Sequence, residues 1–451
     1  MEQKRSSFTG KLGFVLAAAG SAVGLGNIWR FPYLAAKYGG GMFLLVYIIL
    51  SLTFGFSLMV TEIAIGRKTG LSSIGAFQKL NKKFSFVGYL GALIPALILP
   101  YYSVIGGWVT KYFAVYVSGQ GHAAAVDGYF DTFISSNWEP IGWFALFIGL
   151  TALIVLFGVE KGIEKVSKIM MPVLVALSLF VAVYACCIPG ALDGLKYYLI
   201  PNFENFSIMT VVAAMGQLFY SMSLAMGIMI TYGSYMKKDV SLESSVHQIE
   251  IFDTGIAFLA GMMIIPAVFA FSGGDPAMLN KGPGLMFVTL PKVFDNMWGG
   301  HVIGTVFFIL VFFAALTSSI SLMETVVSVL RDKLKWNRNF TCLVVLMLSI
   351  LLGLPSTLGC GVWSGVEILG FQILDFFDFI TNNLLMPVTA LFTAIFVGYI
   401  LKPKAVIDEV ELSGKFKFKK LFVVMIKYVA PVCLLIILVS AILDATGIVK
   451  I

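Results

Sequence analysis

The stretch GSAVGLGNIWRFP, Gly20–Pro32, decides how this chain is read. It lies inside a long apolar segment, 12–36, yet it carries three glycines, an asparagine, an arginine and a proline. A helix in lipid pairs every backbone N–H and C=O within itself, so a break at mid-segment is tolerated only where the freed groups are buried in protein or line a cavity. The stretch therefore predicts a broken helix whose free carbonyls can meet a cation and whose half-helix N-terminus can meet a carboxylate.

The rest of the sequence supplies the membrane. The 451 residues are 59% hydrophobic and only 12% charged, with 39 Phe, so lipid is the expected solvent. Mostly apolar windows of about 20 residues, the length that spans a bilayer, recur at 12–36, 41–65, 86–112, 141–158, 169–189, 207–235, 251–272, 301–329, 339–354, 373–401 and 421–444. They predict eleven spans. An opening signal peptide, suggested by Lys4, Arg5 and Lys11 before LGFVLAAAGSA, is disfavoured because the apolar run continues past the alanines.

Lys and Arg fix the orientation, because short loops rich in them stay cytoplasmic. Alternate connections hold Arg67, Lys68, Lys79, Lys82 and Lys83, then Lys161, Lys165 and Lys168, then Lys237 and Lys238, then Arg331, Lys333, Lys335 and Arg338, then the run from Lys402 to Lys420. The opposite connections hold only Lys37, Lys111, Lys196, Lys281 and Lys292. The N-terminus is expected in the cytoplasm and, after eleven spans, the C-terminus outside. The net charge of +7 thus reflects topology and contact with the lipid bilayer, and implies no nucleic-acid partner. Five cysteines, with Cys186 next to Cys187, give neither a disulfide framework nor metal-ligand spacing.

A second interrupted span is GQLFYSMSLAMG, Gly216–Gly227, five spans after the first. Five is odd, so a second five-helix unit would enter the membrane from the opposite side, and matching breaks in two such units mark an inverted repeat around a binding site. The expected organisation is one transmembrane domain over 1–451, with repeats at 11–200 and 201–401 and a cytoplasmic loop plus eleventh helix at 402–451.

GSAVGLGNIWRFP, YGGGMF, EIAIGR, GQLFYSMSLAMG and FFAALTSSISLMET together closely resemble the neurotransmitter:sodium symporter family, over about residues 5 to 400. The family includes a bacterial leucine transporter built around two broken helices. The resemblance implies an all-α polytopic membrane protein with the leucine-transporter-like fold, a 5+5 inverted repeat with broken helices 1 and 6, plus helix 11. Most eukaryotic members have twelve helices.

The resemblance also implies sites. A first sodium would take Ala22, Asn27, Ser221 and Asp253 with the substrate carboxylate; a second would take Gly20, Val23, Ala314, Thr317 and Ser318. Sodium, a hard cation, suits such oxygens. An amino-acid substrate would meet Tyr102 and the amides near Leu25 and Gly26, with its side chain among Ser21, Ala22, Ile98, Tyr220, Ser221, Ser223, Met226, Ser318 and Leu322. This mostly apolar lining implies a neutral, hydrophobic or aromatic amino acid. Tyr220 and Met226 replace phenylalanines of the leucine transporter, and Ala225 replaces a glycine, which would narrow the pocket.

Gates are expected at Arg30 with Asp378, helped by Gln217, on the outer side and at Arg5 with Asp332 on the inner side. Gly162 and Pro172 resemble a motif at which helix 5 unwinds to admit water, and Phe8 stands where relatives often carry tryptophan. Asp253 occupies a position that is usually asparagine in chloride-dependent relatives. It implies chloride-independent transport, with a proton taken by the aspartate on the return of the empty carrier.

An enzyme is disfavoured, since His122, His247 and His301 lie outside the apolar mid-spans and show no metal spacing. The alternative is a sodium-dependent amino-acid sensor or channel-like protein on the same fold. The expectation is a sodium-coupled importer in a bacterial plasma (inner) membrane, with two Na+ sites and no organic cofactor.

Overall fold

The computed structural model describes residues 7–273 and 283–445. The first apolar segment is α1, a pair of helices, Lys11–Ala22 and Gly26–Lys37, bent by 53° at the predicted break. Four uninterrupted spans follow, α2 (Gly41–Thr69), α3 (Lys82–Val117), α4 (Glu139–Leu156) and α5 (Val159–Cys186), and then the second broken element, α6. That element consists of Ile208–Ser221 and Ile228–Gly233 around an irregular stretch, 222–227. Neither half alone is long enough to cross a bilayer. The chain continues as α7 (Leu242–Ser272), α8 (Gly300–Leu334), α9 (Arg338–Leu358), α10 (Ile373–Ile400) and α11 (Lys419–Leu443). Among the described residues nine helices thus pass as uninterrupted spans, and the two broken elements complete the eleven segments read from the sequence.

The most apolar window of α8 is 78% buried within the protein and that of α11 28%, so α8 is central and α11 peripheral. Around α8 pack α3 and α1; α1 also lies against α5 and α7, while both halves of α6 lie along α2. The α2–α6 contact depends on missing side chains. A Cβ on Gly66 would sit 1.9 Å from the Ile230 carbonyl oxygen and one on Gly233 2.4 Å from that of Ile63. Without a strong hydrophobic drive between helices in lipid, small residues that let backbones approach are how spans pack.

Connections read as polar loops carry structure. Tyr129–Ser135, Leu290–Asp295 and Lys404–Glu411 are short helices. The only strands among the described residues form a hairpin, Glu367–Ile368 with Phe371–Gln372, whose turn residues Leu369 and Gly370 have φ of 54° and 80°. Two positive φ values match the right-handed twist of such a hairpin. One charge near the end of α2 is not solvated: the Arg67 side chain is fully buried, 3.0 Å from Glu409 and donating to the Val240 carbonyl at 2.9 Å. It fastens the helix Lys404–Glu411 beneath α2, because a buried guanidinium needs partners for its donors.

Candidate substrate and ion site

The break in α1 starts where Val23 leaves helical geometry, its ψ at 103° and its N–H closing on Ala19 O at 2.7 Å. The Asn27 side chain then replaces lost backbone bonds: Oδ1 accepts from the Gly24 N–H at 3.1 Å. Its Nδ2 donates to Ser221 Oγ at 2.9 Å, Asp253 Oδ1 at 2.8 Å and Asp253 O at 3.2 Å. Ser221, the last residue of the first half of α6, also donates to Asp253 Oδ1 at 2.6 Å. Tyr47 of α2 donates to Oδ2 at 3.1 Å. Four helices therefore converge on one buried carboxylate, and hydrogen bonds to a charged group are the strong ones.

A second cluster joins α1 to α8. Ser318 Oγ lies 3.5 Å from Gly20 O, 3.1 Å from Ser21 O and 3.3 Å from Val23 O. Thr317 Oγ1 donates to Phe313 O at 3.0 Å and is 3.2 Å from Ala314 O. The threonine therefore bonds back to its own helix, as hydroxyls in apolar helices usually do, while the serine crosses to the broken backbone.

Between the clusters lies a small cavity. Its walls include Ser21, Ala22, Leu25, Gly26, Ile98, Tyr102, Tyr220, Ser223, Met226, Ser318 and Leu322, all of them anticipated, and also Gly24, Asn27 and Ile228. Ser221 meets this cavity only through Asn27. The Tyr102 hydroxyl is 3.5 Å from the Leu25 N–H. Ser21 and Ser223 tie the two broken stretches together, Oγ to Oγ at 3.1 Å and Ser223 Oγ to Ser21 O at 2.9 Å.

In the α6 break Ser223 and Ala225 hold φ of 52° and 62°, which side-chain-bearing residues seldom adopt. Glu62 of α2, buried, accepts the Ala225 N–H at 2.6 Å and so holds that conformation. A buried carboxylate of α2 thus shapes the pocket wall.

The outer gate differs from the expectation. Among the described residues Arg30 and Asp378 form no ion pair. Arg30 lies over the Tyr220 ring at 5.1 Å, and Asp378 accepts from Asn382 at 2.6 Å and Tyr101 at 3.3 Å. Gln217 donates to Gly26 O at 2.9 Å and braces the α1 break. The Arg30 guanidinium thus rests on an aromatic ring, a favourable arrangement that requires no carboxylate contact. Of the pair expected at the inner gate, Arg5 falls outside the described residues, and Asp332 accepts from both the N–H and the hydroxyl of Ser72, at 2.8 and 2.6 Å. Glu324 is buried and paired with Arg338 of α9 and, at 2.8 Å, with the Tyr235 hydroxyl.

Tyr47 and the pocket-shaping part of Glu62 had no local signal: their partners are 206 and 163 residues away.

The sequence profile of the Sodium:neurotransmitter symporter family matches residues 5–121 and 134–449. A relative in Bacillus subtilis, the uncharacterized sodium-dependent transporter YhdH, is 34% identical over 98% of both chains. The sodium- and chloride-dependent taurine transporter of Rattus norvegicus is 28% identical, over 83% of this chain and 68% of its own. Among solved structures, MhsT in complex with L-phenylalanine superposes with a TM-score of 0.88 at 38% identity, covering 97% of this chain and all of MhsT. The fold is therefore the leucine-transporter-like one, with its inverted repeats and two broken helices, and the chain belongs to the sodium:neurotransmitter symporter family as a sodium-dependent, multi-pass secondary transporter and not an enzyme.

Proposed function

We propose that this transporter imports a neutral, hydrophobic or aromatic L-amino acid together with sodium, by alternating access around the cavity between α1 and α6. The observation that carries the reading is the surrounding of Asn27 Nδ2 by Ser221 Oγ, Asp253 Oδ1 and Asp253 O within 3.2 Å. Ser221 Oγ, Asp253 Oδ1 and Asp253 O, gathered around one amide, are oxygen donors of the kind a hard cation takes. With Ala22 they constitute the proposed first sodium site, next to the substrate carboxylate. Gly20, Val23, Ala314, Thr317 and Ser318 constitute the proposed second.

The amino-acid backbone would lie at Tyr102, Leu25 and Gly26, and its side chain against Ile98, Tyr220, Met226 and Leu322. The apolar composition of that wall supports a hydrophobic or aromatic side chain, as does the L-phenylalanine bound by MhsT. A fixed negative charge at Asp253 supports chloride independence and a proton carried back by the empty carrier. The basic loops support a cytoplasmic N-terminus and an outer C-terminus in a bacterial plasma membrane. Units 11–200 and 201–401 are the proposed repeats, and Arg30, Asp378 and Gln217 act as outer gate elements with Arg5 and Asp332 inside.

Purified protein in proteoliposomes, offered labelled amino acids in chloride-free buffer, is expected to accumulate leucine, tyrosine, phenylalanine or tryptophan only under an inward sodium gradient. Binding without accumulation would replace the importer by a sensor. Accumulation that stops without chloride would remove the part assigned to Asp253.

Ala225 gives a second test. Its methyl group sits in a left-handed backbone at a cost of about 1 kcal/mol. Ala225→Gly is expected to raise the melting temperature slightly and to shift uptake toward bulkier amino acids. A competition profile identical to that of the unaltered protein would mean that residue 225 does not limit pocket size.

A further inference from the structure

The segment 7–10, ahead of α1, crosses the end of the bundle that the basic loops mark as cytoplasmic. Phe8 is buried edge-on against Phe14, Tyr232 and Tyr235, with ring centroids 5.7, 5.6 and 6.1 Å apart. Its N–H donates to Tyr235 O at 3.1 Å. The next residue is held more firmly. The Thr9 N–H donates to Glu164 Oε2 at 2.9 Å, its hydroxyl donates to Glu164 Oε1, and its carbonyl accepts from Lys237 at 2.9 Å.

Glu164 is set up for this contact. Its side chain is 1% exposed and pairs with Lys168 at 2.7 Å. The first turn of α1 makes room for it, since a Cβ on Gly13 would lie 2.2 Å from Glu164 Oε1. Glu164 closes the widened first turn of α5, Val159–Glu164, and widened turns of this kind are frequent at functional sites. Two turns further along α5, Met171 Sδ lies 3.4 Å from the Cβ position of Gly20, at the second oxygen cluster. One helix therefore touches both the segment that covers the inner mouth and the cluster that joins α1 to α8.

We propose that Glu164 is a positioning residue that latches the inner gate, clipping residues 7–10 to the first turn of α5 so that strap and turn release together. The physical reason is that a buried carboxylate cannot lose both Thr9 donors and stay where it is. Left with one partner it is under-paired, and widening or unwinding of its own turn is what brings it to water. The inference rests on the transport reading above, in which this end of the cavity must open.

The test uses full-length protein in which the five native cysteines are replaced and Tyr232→Cys supplies a thiol beneath Phe8. Inside-out vesicles are treated with a membrane-impermeant thiol reagent. In sodium, Glu164→Gln is expected to label roughly tenfold faster than the parent, the loss of one charge-assisted hydrogen bond, while still binding amino acid in a sodium-dependent way. Thr9→Val is expected to act in the same direction, and the double variant to add little, because both remove one shared contact. Thr9→Val also carries the test should Glu164→Gln fail to fold. Labelling of both variants at the parental rate, with only a lower melting temperature, would reduce Glu164 to a structural residue. A parent whose labelling ignores sodium and amino acid would instead sink the transport reading, and the ratio of variant to parental rates would still decide the latch.

Discussion

Asp253→Asn is expected to weaken sodium binding by tenfold to several hundredfold and to make the remaining uptake depend on chloride. The carboxylate receives Asn27, Ser221 and Tyr47 as donors at 2.6–3.1 Å, all three from other helices. An asparagine offers one acceptor oxygen and turns an NH2 group toward at least one of those donors, so a buried donor is left facing a donor. It also removes a charge from the proposed cation site. At about 4 Å and an effective dielectric of roughly 20 that attraction is about 4 kcal/mol, and the three hydrogen bonds already spread the charge. A loss of about 1.4–3.5 kcal/mol, at 1.4 kcal/mol per tenfold, is the consequence. Sodium titration of amino-acid binding, with uptake compared in chloride-containing and chloride-free buffers, measures it. Unchanged sodium affinity would show that Asp253 is no ligand, and residual uptake indifferent to chloride would show that its charge has no anion equivalent.

Gly24→Ala is expected to reduce uptake to less than a tenth while leaving the protein folded. The new Cβ would lie 2.7 Å from Ser318 Oγ and 3.2 Å from the Tyr102 hydroxyl. Both neighbours are site groups, so whatever shifts, the site shifts. Ser318 cannot retreat freely, since it is held between the carbonyls of Ser21 and Val23 at 3.1 and 3.3 Å. Displacing a positioned group by a few tenths of an ångström in a packed interior costs stability of the bound state, because cores transmit strain and do not absorb it. Gly216→Ala is the matched control. It lies in the first half of α6, its Cβ would meet nothing within 4 Å, and a helix-interior alanine is favoured over glycine by about 1 kcal/mol. Equal uptake by the two variants would show that the space beside Gly24 is immaterial.

Much of this was legible in the sequence because of how lipid treats a backbone. Glycine and small polar residues inside an apolar run have one physical explanation in common, a helix that breaks, and GSAVGLGN and GQLFYSMSLAMG both break where they are written to. Hydrophobic length located every span, and the Lys and Arg asymmetry suggested which way they run. The pocket lining followed from resemblance, and the cavity gathers those residues together.

What the tertiary structure alone decided is which polar groups meet. Tyr47 reaching Asp253, Glu62 holding Ala225, Glu164 holding Thr9 and Arg67 holding Glu409 join residues 155 to 342 positions apart. No periodicity encodes such pairs, since each depends on the distance between two helices packed by other residues. The outer gate makes the same point. Opposite charges at Arg30 and Asp378 suggested an ion pair, yet Tyr220 takes the guanidinium and Tyr101 with Asn382 takes the carboxylate. A sequence determines that a segment must break in lipid, because that follows from local hydrogen bonding. Which oxygen lies within 3 Å of which donor is set by helix packing, and only the folded chain decides it.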